Sequence, residues 1–243
     1  MKRINPTIIL VRPQLPENIG MTARAMDNFG LSRLYLVNPR EGWPNKKAEN
    51  SAKHAKSILR NVKIFSNLEE ATSKFNLVIA TTNRQRFLTK KTYNNFNDLS
   101  KKFNNTRNIA ILFGPENSGL SNEDLRLAND IYTIKTAKLN KSLNLSHAVS
   151  VIAYEIFSQN LKSSKNIKKD YKIIDQKVTK SELSSYINFL IDDLENKSFF
   201  NPIEKKDSMI DNIYSIYSKM DLTKKELNML WGMHKKLKNQ PKI

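Results

Sequence analysis

The stretch Thr7–Gly30, TIILVRPQLPENIGMTARAMDNFG, changes its period half-way along. Thr7-Ile8-Ile9-Leu10-Val11 is a β-branched run without alternation, as expected of a strand buried on both faces. From about Asn18 to Phe29 the pattern turns helical. Ile19, Thr22, Ala23 and Met26 form the core-facing stripe, and Glu17, Met21, Arg24 and Asn28 fall on another face. Asn18 is placed to cap that helix.

The same unit recurs outward along the chain. Leu34–Val37, Val62–Phe65, Leu77–Thr82, Ile109–Phe113 and Ile131–Ile134 read as strands. Helical patterns lie within Ala48–Arg60, near Leu68–Phe75, and at Ser121–Ala128 and Asn144–Asn160. Strands separated by helices imply an α/β fold, a largely parallel sheet covered on both faces, over residues 1–160. Leu161–Lys177 is polar and basic and reads as a linker. Residues 178–243 form a helical extension with patterns at Thr179–Lys197, Asp207–Lys219 and Thr223–Lys238. So short a set of helices makes a marginal core alone, so it docks on the first domain, a second chain or RNA.

Lys and Arg number 41 against 23 Asp and Glu, a formal net charge of +18 that makes a polyanion, nucleic acid by default, the expected partner. Lys, Asn and Ile are all abundant, so AT-rich coding accounts for part of that excess. Cysteine is absent, which excludes disulfides, thiolate-held metals and a thiolate nucleophile. The three histidines, His54, His147 and His234, make no metal-ligand spacing, so no metal site is expected. No apolar run reaches the ~18–20 residues of a membrane span, and the run after the basic start is too short for a signal peptide. A cytoplasmic protein is the expectation.

The chain has six glycines, and two close near-identical pentapeptides, Pro16–Gly20 (PENIG) and Pro115–Gly119 (PENSG). No GxGxxG follows the first strand and no GxxxxGK[ST] occurs, which excludes the dinucleotide and Walker phosphate loops. A ligand site at the carboxyl ends of the strands is still the geometric expectation. Ser121 with Asp124 reads as a capping box, so the second pentapeptide lies in a strand-to-helix loop. Glu116 there is equally an ordinary solvated carboxylate, and Arg24 an ordinary surface charge. In Ser142–Glu155, SLNLSHAVSVIAYE, capping alone accounts for Ser142 and Asn144.

Together these stretches resemble the three motifs of the SpoU (TrmH) family of RNA ribose 2′-O-methyltransferases, in the SPOUT superfamily. The first motif is matched by Asn18, Gly20, Arg24, Phe29 and Gly30. The second is matched by Phe113, Gly114, Glu116, Gly119 and Leu120, and the third by Ser142, Leu143, Asn144 and Ala148. Further stretches, VNPREGWPN, ATTNRQR and the helical tail, are similar to the TrmJ subfamily, which methylates the ribose of tRNA nucleotide 32. Three positions depart from that pattern: Pro115 and Asn117 replace the usual arginines, and Arg12 stands where relatives often carry Glu.

The resemblance implies a C-terminal trefoil knot, a homodimer, S-adenosylmethionine as methyl donor and tRNA as acceptor. It implies Arg24, Asn18, Ser142, Asn144 and Glu116 as catalytic residues. Thr81, Thr82, Asn83, Gly114, Glu116, Ile134, Ser142, Leu143 and Asn144 would contact the cofactor, and Arg12, Arg84 and Arg86 the RNA. The two pentapeptides then belong to different motifs meeting at one site. A SpoU-type enzyme for rRNA or another tRNA position, or a non-catalytic RNA-binding relative, are the alternatives. Apart from the resemblance, C5 methylation of a pyrimidine needs a thiolate, so a methyltransferase without cysteine must use an oxygen or nitrogen acceptor.

Overall fold

In the computed structural model, which describes residues 4–84, 90–137, 142–164 and 176–238, the apolar runs become strands. They are β1 (Thr7–Val11), β2 (Leu34–Val37), β3 (Lys63–Phe65), β4 (Leu77–Thr81), β5 (Thr92–Tyr93), β6 (Ile109–Phe113) and β7 (Asp130–Tyr132). The sheet order is β3-β2-β1-β6-β4-β7-β5, and every pairing is parallel. All residues of β1 and β6 are buried, which is why neither sequence alternates.

Successive side chains along a strand feed opposite layers. Ile8 and Leu10 join Leu34, Leu36, Ile79 and Ile111 in one core. That layer is covered by α1 (Pro16–Asn28), α2 (Lys46–Ala52), α3 (Lys56–Arg60), α5 (Phe96–Ser100) and α7 (Leu145–Ser164). Ile9 and Val11 join Val37, Val78 and Leu112 in the other, under α4 (Leu68–Thr72) and α6 (Asn122–Arg126). Gly20 is what lets α1 and α2 touch. A Cβ there would stand 2.1 Å from the Ala48 carbonyl oxygen and 2.8 Å from Ser51 Cβ.

The expected helix within Ala48–Arg60 is two helices. The chain turns at Lys53, with φ at 52°, so that Ala52 and Ala55 both reach the core while Lys53 and His54 stay exposed. The polar stretch after β4 also holds structure the periodicity hides. β5, α5 and a 3₁₀ turn at Lys101–Asn105 are pinned by Tyr93, Phe96, Leu99 and Phe103, single apolar residues among polar ones. The helix ending the first region runs to Ser164, four residues into the expected linker.

α8 (Lys180–Asn196), α9 (Lys206–Lys219) and α10 (Lys224–Lys238) form the extension, packed around Leu183, Tyr186, Ile187, Leu222 and Leu227. The extension docks on the first domain, one of the three partners expected for it. The backbone N–H groups of Lys180 and Ser181 donate to the carbonyls of Phe75 and Ser73 at 2.9 and 3.2 Å. Asn76 Nδ2 donates to the Lys177 and Val178 carbonyls, and Asn129 Nδ2 to that of Ser218. Arg126 and Asp211 add an ion pair between α6 and α9. Asn76 and Asn129 precede β4 and β7, so the extension seals the amino ends of the strands and leaves the carboxyl ends free.

Candidate active site

At those carboxyl ends a cleft of about 330 Å³ opens between β4, β6, β7 and the start of α7. Thr81 ends β4 with its hydroxyl donating to the Leu112 carbonyl at 2.7 Å. Thr82 follows, bonded through its backbone to Tyr132 and Thr133, so β4 and β7 stay paired to the cleft's edge. Asn83 Nδ2 donates to Thr136 Oγ1 at 3.3 Å, and Arg84 donates to the Asn117 carbonyl at 2.8 Å. The β4 loop thus touches both neighbouring loops at the mouth of the cleft.

Beyond β6 the chain doubles back over Gly114. A Cβ at that position would lie 2.3 Å from Leu120 N and 2.4 Å from Gly119 C, so only glycine fits. The loop closes with Gly119 N donating to the Pro115 carbonyl at 2.8 Å. The capping box of Ser121 and Asp124 then opens α6 as expected. Phe113, Ile134, Leu143 and Leu145 supply apolar wall, and Glu116 the carboxylate. Tyr132 also lines the cleft; burial, with Glu155 adding, raises its pKa above that of an ordinary phenol, so it is neutral at pH 7.

Hydrogen bonds join stretches far apart in sequence. Asn18 Nδ2 donates to Glu116 Oε1 at 2.7 Å, and Asn144 Nδ2 donates to Asn18 Oδ1 at 3.1 Å. Glu116 Oε2 accepts from the backbone N–H of Gln14 at 2.9 Å. Asn144 Oδ1 also accepts from Ser146, at 2.9 Å from N and 2.7 Å from Oγ, and so caps α7 as its position suggested. Asn18 does not cap α1. Leu15 is the N-cap residue and Pro16 opens the helix, which puts Asn18 inside the first turn, 2% exposed.

Of the residues expected at the cofactor, Thr81, Thr82, Asn83, Gly114, Glu116, Ile134, Ser142 and Leu143 line this cleft, and Asn144 is an exposed residue between two of its lining residues, Leu143 and Leu145. Arg84 lies at the mouth. Arg12 is elsewhere: its guanidinium forms a two-pronged pair with Asp124 and ties the end of β1 to α6. Arg86 falls outside the described residues. Arg24 is exposed on the outer face of α1 and does not line the cleft of its own chain. Met21 on α1 and Val151 and Tyr154 on the packed helix α7 are exposed as well.

Residues 5–154 match the SpoU rRNA Methylase family. The chain belongs to that family. It is 31% identical over 235 residues to the tRNA (cytidine/uridine/adenosine-2′-O-)-methyltransferase TrmJ of Pseudomonas aeruginosa, covering 93% of this chain and 91% of that protein. It is 35% identical over 161 residues to the tRNA (cytidine-2′-O-)-methyltransferase TrmJ of Methanocaldococcus jannaschii, covering 65% of this chain and 69% of the other. The crystal structure of TrmJ from Z. mobilis ZM4 superposes with a TM-score of 0.86 at 34% identity, covering 97% of this chain and 100% of that one. As a SpoU methylase the chain is a methyltransferase, and the expected α/β fold is that of these relatives.

Sequence reading missed several residues of this SpoU cleft. Tyr132 and Thr136 flank the expected Ile134 at period two, and both line the cavity. Ser146 is the second residue of α7, where a hydroxyl meets a capping Asn. That spacing was readable in SLNLS.

Proposed function

We propose that this methylase transfers a methyl group from S-adenosylmethionine to the ribose 2′-hydroxyl of a pyrimidine nucleotide in the tRNA anticodon loop, nucleotide 32. The observation that carries the reading is the hydrogen-bonded chain Glu116–Asn18–Asn144, in which the three motif stretches meet beside one cleft. The cleft volume, about 330 Å³, lies within the ~300–1,000 Å³ usual for small-molecule sites. Apolar walls with one carboxylate suit a ligand that joins an aromatic base to a cationic centre. Thr81, Thr82, Asn83, Gly114, Glu116, Ile134, Ser142, Leu143 and Asn144 would hold it. When bound, S-adenosylmethionine supplies a sulfonium methyl group for in-line displacement.

The protein's own work is alignment and charge. Ser142 and Asn144 orient the ribose and its phosphate, with Asn18 fixed behind them, since positioning alone lowers such a barrier by several kcal/mol. Arg24 stabilises the oxygen as its proton passes to solvent; a guanidinium, already carrying its proton, is a poor base. Because Arg24 faces outward, it serves the cleft of a second copy in a homodimer. The exposed Met21, Val151 and Tyr154 around it are the face that copy covers. Arg84 and Arg86 take RNA phosphates; Arg12, paired with Asp124, is the third cation expected on the RNA. Residues 1–160 form the catalytic domain with the family's trefoil knot, 161–177 the linker and 178–243 the extension. No helix among the described residues is long and apolar enough to cross a membrane, in keeping with a cytoplasmic site of action on tRNA.

The test is methyl transfer from labelled cofactor to unmodified tRNA, with the modified nucleotide mapped. Arg24→Ala should abolish turnover while cofactor binding by calorimetry persists. Binding of tRNA without cofactor affinity or turnover would point instead to a non-catalytic relative.

A further inference from the structure

We propose that Glu116 is a positioning residue, a detached cap for α1 that fixes the helix carrying Arg24, and not a group acting at the reacting oxygen. The start of α1 lacks its own cap: Leu15, the N-cap residue, has no side-chain oxygen and Pro16 has no N–H. In an ordinary capping box the third helical residue reaches back to the N-cap backbone. Here that residue is Asn18, a donor towards Glu116. The missing acceptor comes from the β6–α6 loop, 98 to 102 residues away. Glu116 Oε2 accepts from Gln14 N at 2.9 Å, while Oε1 accepts from Leu15 N at 3.3 Å and from Asn18 Nδ2 at 2.7 Å. A carboxylate at a helix amino end also opposes the positive end of the helix dipole.

The relay behind it runs one way. Ser146 Oγ donates to Asn144 Oδ1, Asn144 Nδ2 to Asn18 Oδ1, and Asn18 Nδ2 to Glu116, which as a carboxylate only accepts. Each amide orientation is therefore fixed by the next, and the amino ends of α1 and α7 are locked to the loop that floors the cleft. Arg24 lies six residues beyond Asn18 on α1, about 9 Å along the helix axis. A shift at its start moves the guanidinium with it. Both Glu116 oxygens are engaged by donors of the protein itself, so the carboxylate has a geometric task before any ligand arrives.

Glu116→Gln in the full-length chain tests this, because one amide atom must then face N–H groups donor to donor. Hydrogen exchange of the backbone amides from Gln14 to Ile19 should quicken by about tenfold, the loss of a cap with a charged acceptor. Arg24→Ala should leave that exchange unchanged. Single-turnover methyl transfer should fall by about ten- to a hundredfold with the shape of its pH profile kept. Adding Asn18→Asp to Glu116→Gln restores a donor–acceptor pair and should recover the slow exchange. Glu116→Asp, a methylene too short to reach Gln14 and Asn18 together, should quicken exchange in the same way and replaces Glu116→Gln if that chain fails to fold. Unchanged exchange together with a flattened pH profile would overturn the assignment. Only the turnover arm depends on the proposed reaction. A wild-type enzyme inert on tRNA sinks that reaction, while exchange still decides the cap.

Discussion

Lys180 opens α8 at the seam between sheet and extension, and it is 5% exposed. Its Nζ has no hydrogen-bond partner among the described residues. Burial above all, with the charge of Lys90 adding, holds its pKa well below that of an ordinary lysine; Asp130 and Asp221 oppose the shift. Replacing Lys180 by Met keeps an unbranched chain of similar length and removes the stranded amine. Leaving a buried donor unsatisfied costs about 1–3 kcal/mol, so Lys180→Met should stabilise the protein by about that much. For a chain of this size a gain of about 2 kcal/mol raises Tm by roughly 4–8 °C.

The pH dependence has a definite sign. A base whose pKa is depressed on folding binds fewer protons in the folded than in the unfolded state between those two values. Stability therefore rises with pH through that window, up to the ordinary lysine value of 10.5, and is lost as pH falls towards the folded value. Lys90, which donates to the Arg126 and Ala128 carbonyls and is lowered to about 8 by burial, contributes a rise of the same sign. Lys90 is common to both proteins, so the difference between variant and wild type reads Lys180 together with its coupling to Lys90. Urea unfolding at pH 7 and at pH 9.5 reads it directly. The advantage of Lys180→Met should be largest at pH 7 and smaller at pH 9.5. A variant less stable than wild type at pH 7, or an advantage that grows with pH, would refute an unpartnered amine at this seam.

Two further substitutions probe the frame of the site. Gly20→Ala drives a Cβ into the Ala48 backbone and should cost about 1–3 kcal/mol, measured by thermal unfolding. It should also lower methyl transfer more than cofactor affinity, since α1 moves and the cleft floor does not. Asp193 accepts from Lys197 at 3.1 Å, with His234 and Lys238 at 3.1 and 3.2 Å. Those hydrogen bonds, that of Lys197 first, lower its pKa to about 2 from 3.8. A carboxylate depressed in this way adds stability above its unfolded pKa that is lost as pH falls through the folded one. Asp193→Asn should therefore flatten the acid limb of the stability curve between about pH 4 and 2, followed by circular dichroism.

The sheet was legible because its centre is buried on both faces. Every residue of β1 and β6 is apolar apart from Thr7, and no competing helical period crosses them. β5 was not, because two residues between polar neighbours carry no period at all. The same limit applies to the site. Gly114 and Ser142 fall where local spacing put them, at a strand end and before a helix. The role of Asn18 was misread, because a polar residue at a helix start looks like a cap whatever the backbone does. Pro16 at the first helical position marks where α1 begins and was the signal to weigh. The partner of Arg12, Asp124, lies 112 residues away, which no local pattern encodes.

The repeated tripeptide Pro-Glu-Asn shows how little a local match determines. In the first copy the asparagine is buried and donates, while Glu17 is only half-buried. In the second the glutamate accepts, while Asn117 is exposed and gives only its backbone carbonyl to Arg84. The residue used in each copy is the complement of the one used in the other, so the two pentapeptides meet as donor and acceptor. Their glycines differ as well: Gly20 clears a helix contact, and Gly119 supplies a left-handed turn with φ at 66°. A true repeat would place the same residue in the same role. Opposite roles are what a single site needs when two loops must bond to each other, and the two near-identical pentapeptides meet here although the segments around them do not match.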